Sequence, residues 1–261
     1  MADETTNFGE MKMYKCLVPV SGGKDSQSCL QLALQKFDKS EVLGLFCDTK
    51  FEHPKTYAHV EFMRDYYGVY IDTVCMGSVL QESKKWGRFP GGGSRHCTDY
   101  LKIKPTKHYI KALAEKQGCI EVWYGMRQEE SSERAARYEF KIHDELYMPH
   151  EVMPSKYPKY LGKMGVRFRL PVIDWTTAEV MIFLDGKHNP LYDDGFDRVG
   201  CFPCLAGGDQ WKEKAFAYDE FGLKQYQKTM IVSKEIGKSI WTSKGGEFRN
   251  ESGQGCLICS Y

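Results

Sequence analysis

Tyr14-Lys15-Cys16-Leu17-Val18-Pro19-Val20-Ser21-Gly22-Gly23-Lys24-Asp25-Ser26 is the stretch that decides the fold. Its first seven residues read as a short buried strand. After it, Leu30, Ala33, Leu34 and Phe37 recur at the spacing of one helical face. Strand, glycine-rich turn and helix in that order point several backbone N–H groups and a helix N-terminus at one anion. Lys24 adds a mobile positive charge and Ser21 and Ser26 add hydroxyl donors, while Asp25 suits a magnesium ion or a helix cap. A Walker A loop is excluded, because four residues must separate its first glycine from its Gly-Lys pair.

Working outward, Glu41–Cys47 reads as a second buried strand ending at Asp48-Thr49, and Pro54 opens a helix to about Tyr67. Val69–Val74 is a third strand, Gly87 to Ser94 a glycine-rich loop, Pro105 to Gln117 a helix, and Ile120–Tyr124 a fourth strand. This alternation predicts an α/β fold with a doubly wound parallel sheet, whose ligands sit at the C-terminal strand ends. Ser21, Asp48 and Gly125 fall at such ends. A helix follows Gly125, then a loop-rich basic segment from Met148 to Arg169 and a helix over Thr176–Leu184. From Gly186 the pattern turns to glycine, aspartate and cysteine, with one helix over about 209–230. The expected organisation is a leader at 1–12, a nucleotide-binding domain at 13–185 and a cysteine-containing C-terminal region at 186–261.

With 36 basic against 35 acidic residues, the net charge of +1 provides no global field toward nucleic acid or membrane. Basic clusters at 156–169 and 234–249 read as solvated faces. No apolar run is long enough to span a bilayer and the first residues are acidic, so a cytoplasmic protein without membrane contact is expected. Disulfides are disfavoured there, which makes ten cysteines notable. Cys16, Cys29, Cys47, Cys75 and Cys119 lie in apolar segments and read as small buried hydrophobes. The other five are grouped with glycine and proline.

Two further constellations carry chemistry. Arg127, Glu130, Ser131 and Arg134 are spaced to share one helical face at the end of the fourth strand, where two arginines suit an anionic substrate or ATP phosphates. The competing reading is a surface helix laced with ion pairs. Gly200-Cys201-Phe202-Pro203-Cys204 and Gly255-Cys256-Leu257-Ile258-Cys259 are Cys-x-x-Cys pairs, and Cys97 follows the glycine-rich loop. Four thiolates close a zinc site or hold a [4Fe–4S] cluster, and either pair alone is a redox dithiol; spacing does not separate these.

The loop Ser21-Gly22-Gly23-Lys24-Asp25-Ser26 resembles the pyrophosphate loop (PP-loop) of the ATP pyrophosphatase superfamily, which has an adenine nucleotide alpha hydrolase-like fold and cleaves ATP to AMP and pyrophosphate. Asp48-Thr49-x-x-Glu52-His53-Pro54, Arg95-His96-Cys97-Thr98-Asp99-Tyr100-Leu101-Lys102-x-x-Pro105 and Gly125-x-Arg127-x-x-Glu130-Ser131-x-x-Arg134 resemble the phosphoadenylylsulfate (PAPS) reductase family. So does Asn189-Pro190-Leu191-Tyr192-x-x-Gly195-Phe196-x-Arg198-x-Gly200-Cys201-x-x-Cys204. The likeness covers about residues 14–205.

That resemblance implies a [4Fe–4S] cluster on Cys97, Cys201 and Cys204. Where cluster-bearing relatives often have adjacent cysteines this chain has His96-Cys97, so Cys259 or Cys256 is the candidate fourth ligand and the other a sulfur relay; an open fourth iron is the alternative, as in some tRNA-thiolating relatives. True reductases lack the full loop, having no pyrophosphate to hold. The implied activity is therefore an ATP-dependent sulfurtransferase closest in character to the DNA phosphorothioation enzymes of bacterial modification systems. Lys24, Asp25 and Cys256 would be catalytic. ATP and Mg2+ would sit on Ser21, Gly22, Gly23, Lys24, Asp25, Ser26, Asp48, Gly125 and Arg127. The substrate would meet Lys102, Arg127, Glu130, Ser131 and Arg134. The partners implied are a nucleic-acid acceptor, DNA first, and a cysteine desulfurase as sulfur donor, with a homodimer left open. The alternatives are reduction of adenylylsulfate or its 3′-phosphate, tRNA thiolation, and a non-catalytic zinc-stapled nucleic-acid-binding module.

Overall fold

The computed structural model describes residues 13–91 and 94–242. In chain order its elements are β1 (Cys16–Val20), α1 (Lys24–Lys36), β2 (Val42–Asp48), α2 (Pro54–Tyr67), β3 (Tyr70–Cys75) and α3 (Val79–Trp86). A single turn, α4 (His96–Thr98), passes through a π-helical stretch (Asp99–Ile103) into α5 (Lys104–Gln117), and β4 (Ile120–Trp123) follows. Then come α6 (Ser132–Arg137), α7 (Pro149–Val152), α8 (Lys159–Lys163), β5 (Val166–Arg169), α9 (Thr177–Leu184), α10 (Asp209–Phe216) and α11 (Glu220–Ile236).

All strands are parallel, in the order β3-β2-β1-β4-β5. Every residue of β2 is buried, as a strand covered on both faces must be. Alternate side chains of β1 and β2 feed two separate cores. Leu17, Leu43 and Leu45 join Ile110 of α5 on one face, while Val18, Val20 and Phe46 join Leu30 of α1 and Val60 of α2 on the other. The expected doubly wound sheet is therefore present. Its order reverses between β1 and β4, and the crevice above that point is where such sheets take ligands.

Four local expectations change. The fifth strand, β5, lies inside the segment read as basic loop. Its Val-Arg-Phe-Arg alternation buries Val166 and Phe168 and leaves both arginines half-exposed, so its hydropathy is too low to announce an edge strand. The helix at 209–230 is two helices, because Asp219 leaves helical geometry and caps α11 by accepting from the Gly222 N–H at 2.8 Å. The helix expected from Pro105 starts earlier. Pro105 cannot donate, and the chain widens just before it, with the Lys104 N–H reaching Asp99 O five residues back. Finally, Cys75 and Cys119 are exposed; only Cys16, Cys29 and Cys47 of the five assigned to the interior are buried.

Beyond residue 185 the chain returns to the sheet. Phe202 N–H donates to Phe51 O at 2.7 Å, Cys201 bridges Glu52, and Leu205, Phe216 and Val232 share a core with Phe51, Val79 and Leu101. Among the described residues no helix is long and apolar enough to cross a membrane.

Candidate active site

The crevice is a cavity of about 570 Å3 whose wall includes Ser21, Gly23, Lys24, Asp25 and Ser26 at one end and Cys97, Cys201 and Cys204 at the other. The structure thus brings together two groups separated by up to 183 positions of sequence, from Ser21 to Cys204.

At the loop end the turn is knitted by its own serines. Ser21 N–H donates to Ser26 Oγ at 3.0 Å, and Ser26 Oγ donates to Gly23 O at 3.0 Å. Gly22 has φ +74°, a left-handed conformation, and a Cβ there would stand 2.6 Å from Thr56 Cγ2. Gly22 itself does not face the cavity; its carbonyl accepts from Asn189 Nδ2 at 3.0 Å. The N-cap residue Gly23 has no side chain to cap α1, and the Tyr192 hydroxyl takes only the Lys24 N–H, which leaves the Asp25 and Ser26 N–H groups to face an anion. Asp25 is therefore no helix cap. Its carboxylate accepts from Arg127 Nε at 2.7 Å and pairs with Lys24 Nζ at 3.3 Å.

Lys24, expected as a mobile charge, is buried, with its ammonium 5.3 Å from the Tyr192 ring centre. The Tyr192 hydroxyl accepts from Lys24 N–H at 3.0 Å. Gly125 is a necessity of packing: a Cβ there would lie 2.6 Å from the Asp25 carbonyl carbon.

The shared helical face after Gly125 does not form. Arg127 is extended, Gln128–Glu130 is one 3₁₀ turn, and Ser131 is extended again (φ −170°) because its hydroxyl caps α6 by accepting from the Arg134 N–H. Ser131 does not reach the cavity. The two arginines consequently differ. Arg127 is 2% exposed and also donates to Glu129, Trp175 O and Thr177, tying the end of β4 to the start of α9. Arg134 is half-exposed and pairs with Glu130 one turn back. Asp48 stands behind the cavity wall, accepting from Tyr57 Oη at 2.7 Å and pairing with Lys50 at 2.6 Å; Leu45, Phe46, Cys47 and Thr49 form the wall there.

At the cysteine end, Cys201 Sγ lies 3.2 Å from Thr49 Oγ1 and 3.6 Å from Glu52 Oε1. Burial pushes its thiol up to about 12, against the lowering pull of Lys102. Cys97 is likewise raised, first by burial and then by Cys204. Lys102 faces Cys201, Glu52, Cys204 and Cys47, and these neighbours raise its affinity for a proton, Cys201 most. It therefore belongs to the thiol wall. Sequence reasoning assigned no role to Thr49, Glu52, Asn189, Tyr192, Arg95 or Arg198. All six stood in quoted motifs, but only tertiary contact reveals what they do.

Among the described residues no three His, Cys, Asp or Glu side chains gather into one coordination sphere. A single zinc ion requires that gathering. A cubane cluster binds each thiolate at a different iron, so its ligands stand further apart around a shared volume. Cys97, Cys201 and Cys204 on one wall, with a lysine beside them, fit the second demand. Cys256 and Cys259 lie outside the described residues.

Residues 15–206 match the family described as the phosphoadenosine phosphosulfate reductase domain. An uncharacterized protein of Methanocaldococcus jannaschii is 30% identical over 73% of this chain and 36% of its own length. An adenosine 5′-phosphosulfate reductase of Anoxybacillus flavithermus is 24% identical over 77% of this chain and 75% of its own. Of the lengths of three uncharacterized relatives, the chain spans 36%, 42% and 66%. A solved U34-tRNA thiolase of Methanococcus maripaludis with its [4Fe–4S] cluster is a looser likeness, at 15% identity and TM-score 0.46, covering 96% of this chain and 82% of that one.

Proposed function

This chain belongs to the phosphoadenosine phosphosulfate reductase domain family, and from that premise we propose that it is an ATP-dependent sulfurtransferase acting on a nucleic-acid oxygen, with DNA phosphorothioate formation as the foremost activity. The observation that carries this reading is the complete Ser21–Ser26 loop, with α1 uncapped above it, opening into the same cavity as three thiols. An enzyme whose substrate arrives already activated has no use for a second anion cradle.

In this reading the β- and γ-phosphates of ATP lie against the loop N–H groups, with Lys24 beside them. Asp25 fixes Lys24 and Arg127 in place. Magnesium travels with the phosphates and neutralises the leaving pyrophosphate. The acceptor oxygen attacks the α-phosphorus, its bond to pyrophosphate breaks, and the acceptor becomes adenylated. A sulfur nucleophile then forms the bond to the activated centre and AMP departs. Cys97, Cys201 and Cys204 would hold a [4Fe–4S] cluster, which when bound supplies a site for sulfur close to the adenylated centre. A cysteine desulfurase would provide that sulfur at the persulfide level, Cys256 or Cys259 would relay it or complete the ligand set, and a low-molecular-weight thiol would supply the two electrons that break the S–S bond once the outer sulfur has bonded to the acceptor.

The names of relatives favour one rival, sulfonucleotide reduction. Release of pyrophosphate from ATP in the presence of DNA, without sulfite release from adenylylsulfate or its 3′-phosphate, is the expected result. Sulfite release without any pyrophosphate would overturn the sulfurtransferase reading.

A further inference from the structure

We propose that Arg95, Arg134 and Arg198 form a second anion site, at the exposed rim of the cavity, that grips a phosphodiester of the acceptor strand. This rests on the sulfurtransferase reading above. All three line the cavity. Arg95 is the residue that opens the α4 turn carrying Cys97, and Arg198 stands three residues before Cys201 and beside Val199, whose carbonyl lies against Gly23 of the loop.

The charges at this rim are not matched within the chain. Arg95 and Arg198 are exposed, and neither side chain has a hydrogen-bond or ion-pair partner among the described residues. Arg134 shares Glu130. Its proton is held less tightly than usual through burial and through repulsion by Arg198 and Arg95, which makes the three guanidiniums electrostatic neighbours. Asp197 and Glu130 are the acids lining this rim, and Asp25 acts on Arg134 from the loop side. Two exposed guanidiniums without a side-chain partner, beside a third that shares Glu130, favour an anion between them, and guanidinium forks match phosphate oxygens in pairs.

Position selects the kind of anion. ATP phosphates have the backbone of the loop for a partner. An acceptor oxygen must approach the α-phosphate from the side opposite pyrophosphate. Exposed arginines at a rim serve a chain that passes over the cavity, because a polymer cannot enter it whole.

The test uses the full chain with a fluorescein-labelled single-stranded DNA decamer, α,β-methylene-ATP with magnesium, and adenylylsulfate as probes. For Arg95→Gln and Arg198→Gln, the decamer Kd should rise at least tenfold more than the Kd of the ATP analogue. The slope of log Kd against log salt should fall by about 0.7 per lost phosphate contact. Because both side chains are exposed, circular dichroism should show an unchanged fold. The inference is overturned if wild-type protein does not bind the decamer, if decamer affinity and salt slope match wild type in both variants, or if only adenylylsulfate binding weakens. Pyrophosphate release is scored separately. Its absence, with DNA binding lost in the variants, would remove the sulfurtransferase reading and leave the anion site standing.

Discussion

At the loop end of the cavity every charge has a partner within the chain. Lys24 and Arg127 both hold Asp25, Arg127 also holds Glu129, and the Tyr192 hydroxyl occupies the Lys24 N–H. At the exposed rim two arginine side chains lack partners among the described residues, and at the cysteine end two thiols are held protonated by burial beside Lys102. The loop end is thus rigid before any ligand arrives, and what it offers is backbone N–H groups rather than loose charge. The cysteine end is completed only by something brought to it. Preorganisation at one end, thiols at the other and unmet charge at the rim suit a site that must activate one substrate and then accept a second.

The sharpest way to break this contrast is at the thiols. A Cys201→Ser, Cys204→Ser double variant, purified anaerobically, should lose essentially all bound iron and its brown absorbance while still binding the ATP analogue. Full iron content would remove the cluster from the reading; loss of analogue binding as well would mean that the two ends do not act separately.

Next in size is Arg127→Ala. The spacing in the sequence put Arg127 and Arg134 on one helical face, but Arg127 is buried in a network of four partners. Removing one member of a buried pair costs about 3–5 kcal/mol, so thermal unfolding should shift strongly downward. Arg134→Ala, at a half-exposed pair, should cost about 0–1 kcal/mol. Equal melting shifts would erase the distinction drawn between them.

Lys24→Ala should slow pyrophosphate release by roughly 2–4 kcal/mol of lost transition-state stabilisation, the size of one preorganised donor, with the fold retained. Near wild-type release would show that the loop backbone alone carries the leaving group. The smallest effect is expected from Tyr192→Phe, which removes the acceptor for the Lys24 N–H. It should lower stability by about 0.5–1.5 kcal/mol, measured by denaturant unfolding. ATP-analogue affinity would then be unchanged or improved, since one more N–H is freed. A large loss of affinity would show instead that the hydroxyl positions the loop.

Much of this was legible in the residues. Apolar runs ending at Ser21, Asp48 and Gly125 announced parallel strands with their functional ends on one side, because a strand buried on both faces needs an unbroken apolar run whatever its neighbours are. Gly22 is dictated locally by a left-handed turn, whereas Gly125 owes its glycine to the close approach of the Asp25 backbone from far along the chain. Cys97, Cys201 and Cys204 stood out because they are grouped with glycine and proline outside the apolar runs, although Cys97 and Cys201 also pack against the core of Phe51, Leu101 and Phe216. β5 was not legible, since a short edge strand with two arginines carries the hydropathy of a loop.

Other features were decided only by tertiary structure. The motif Gly125-x-Arg127-x-x-Glu130-Ser131-x-x-Arg134 has helical spacing, yet Arg127 is drawn inward by Asp25, 102 positions earlier, and Ser131 turns out to cap α6. Lys24 carries the same sequence whether mobile or buried; Tyr192, from far along the chain, decides that it is buried. Asp48 sits at the right strand end but spends its carboxylate on Tyr57 and Lys50. Periodicity and turn chemistry act over a few residues and can be read along a line. Which charges pair, and which are left over at the mouth of a cavity, depends on distances in space that only the folded chain sets.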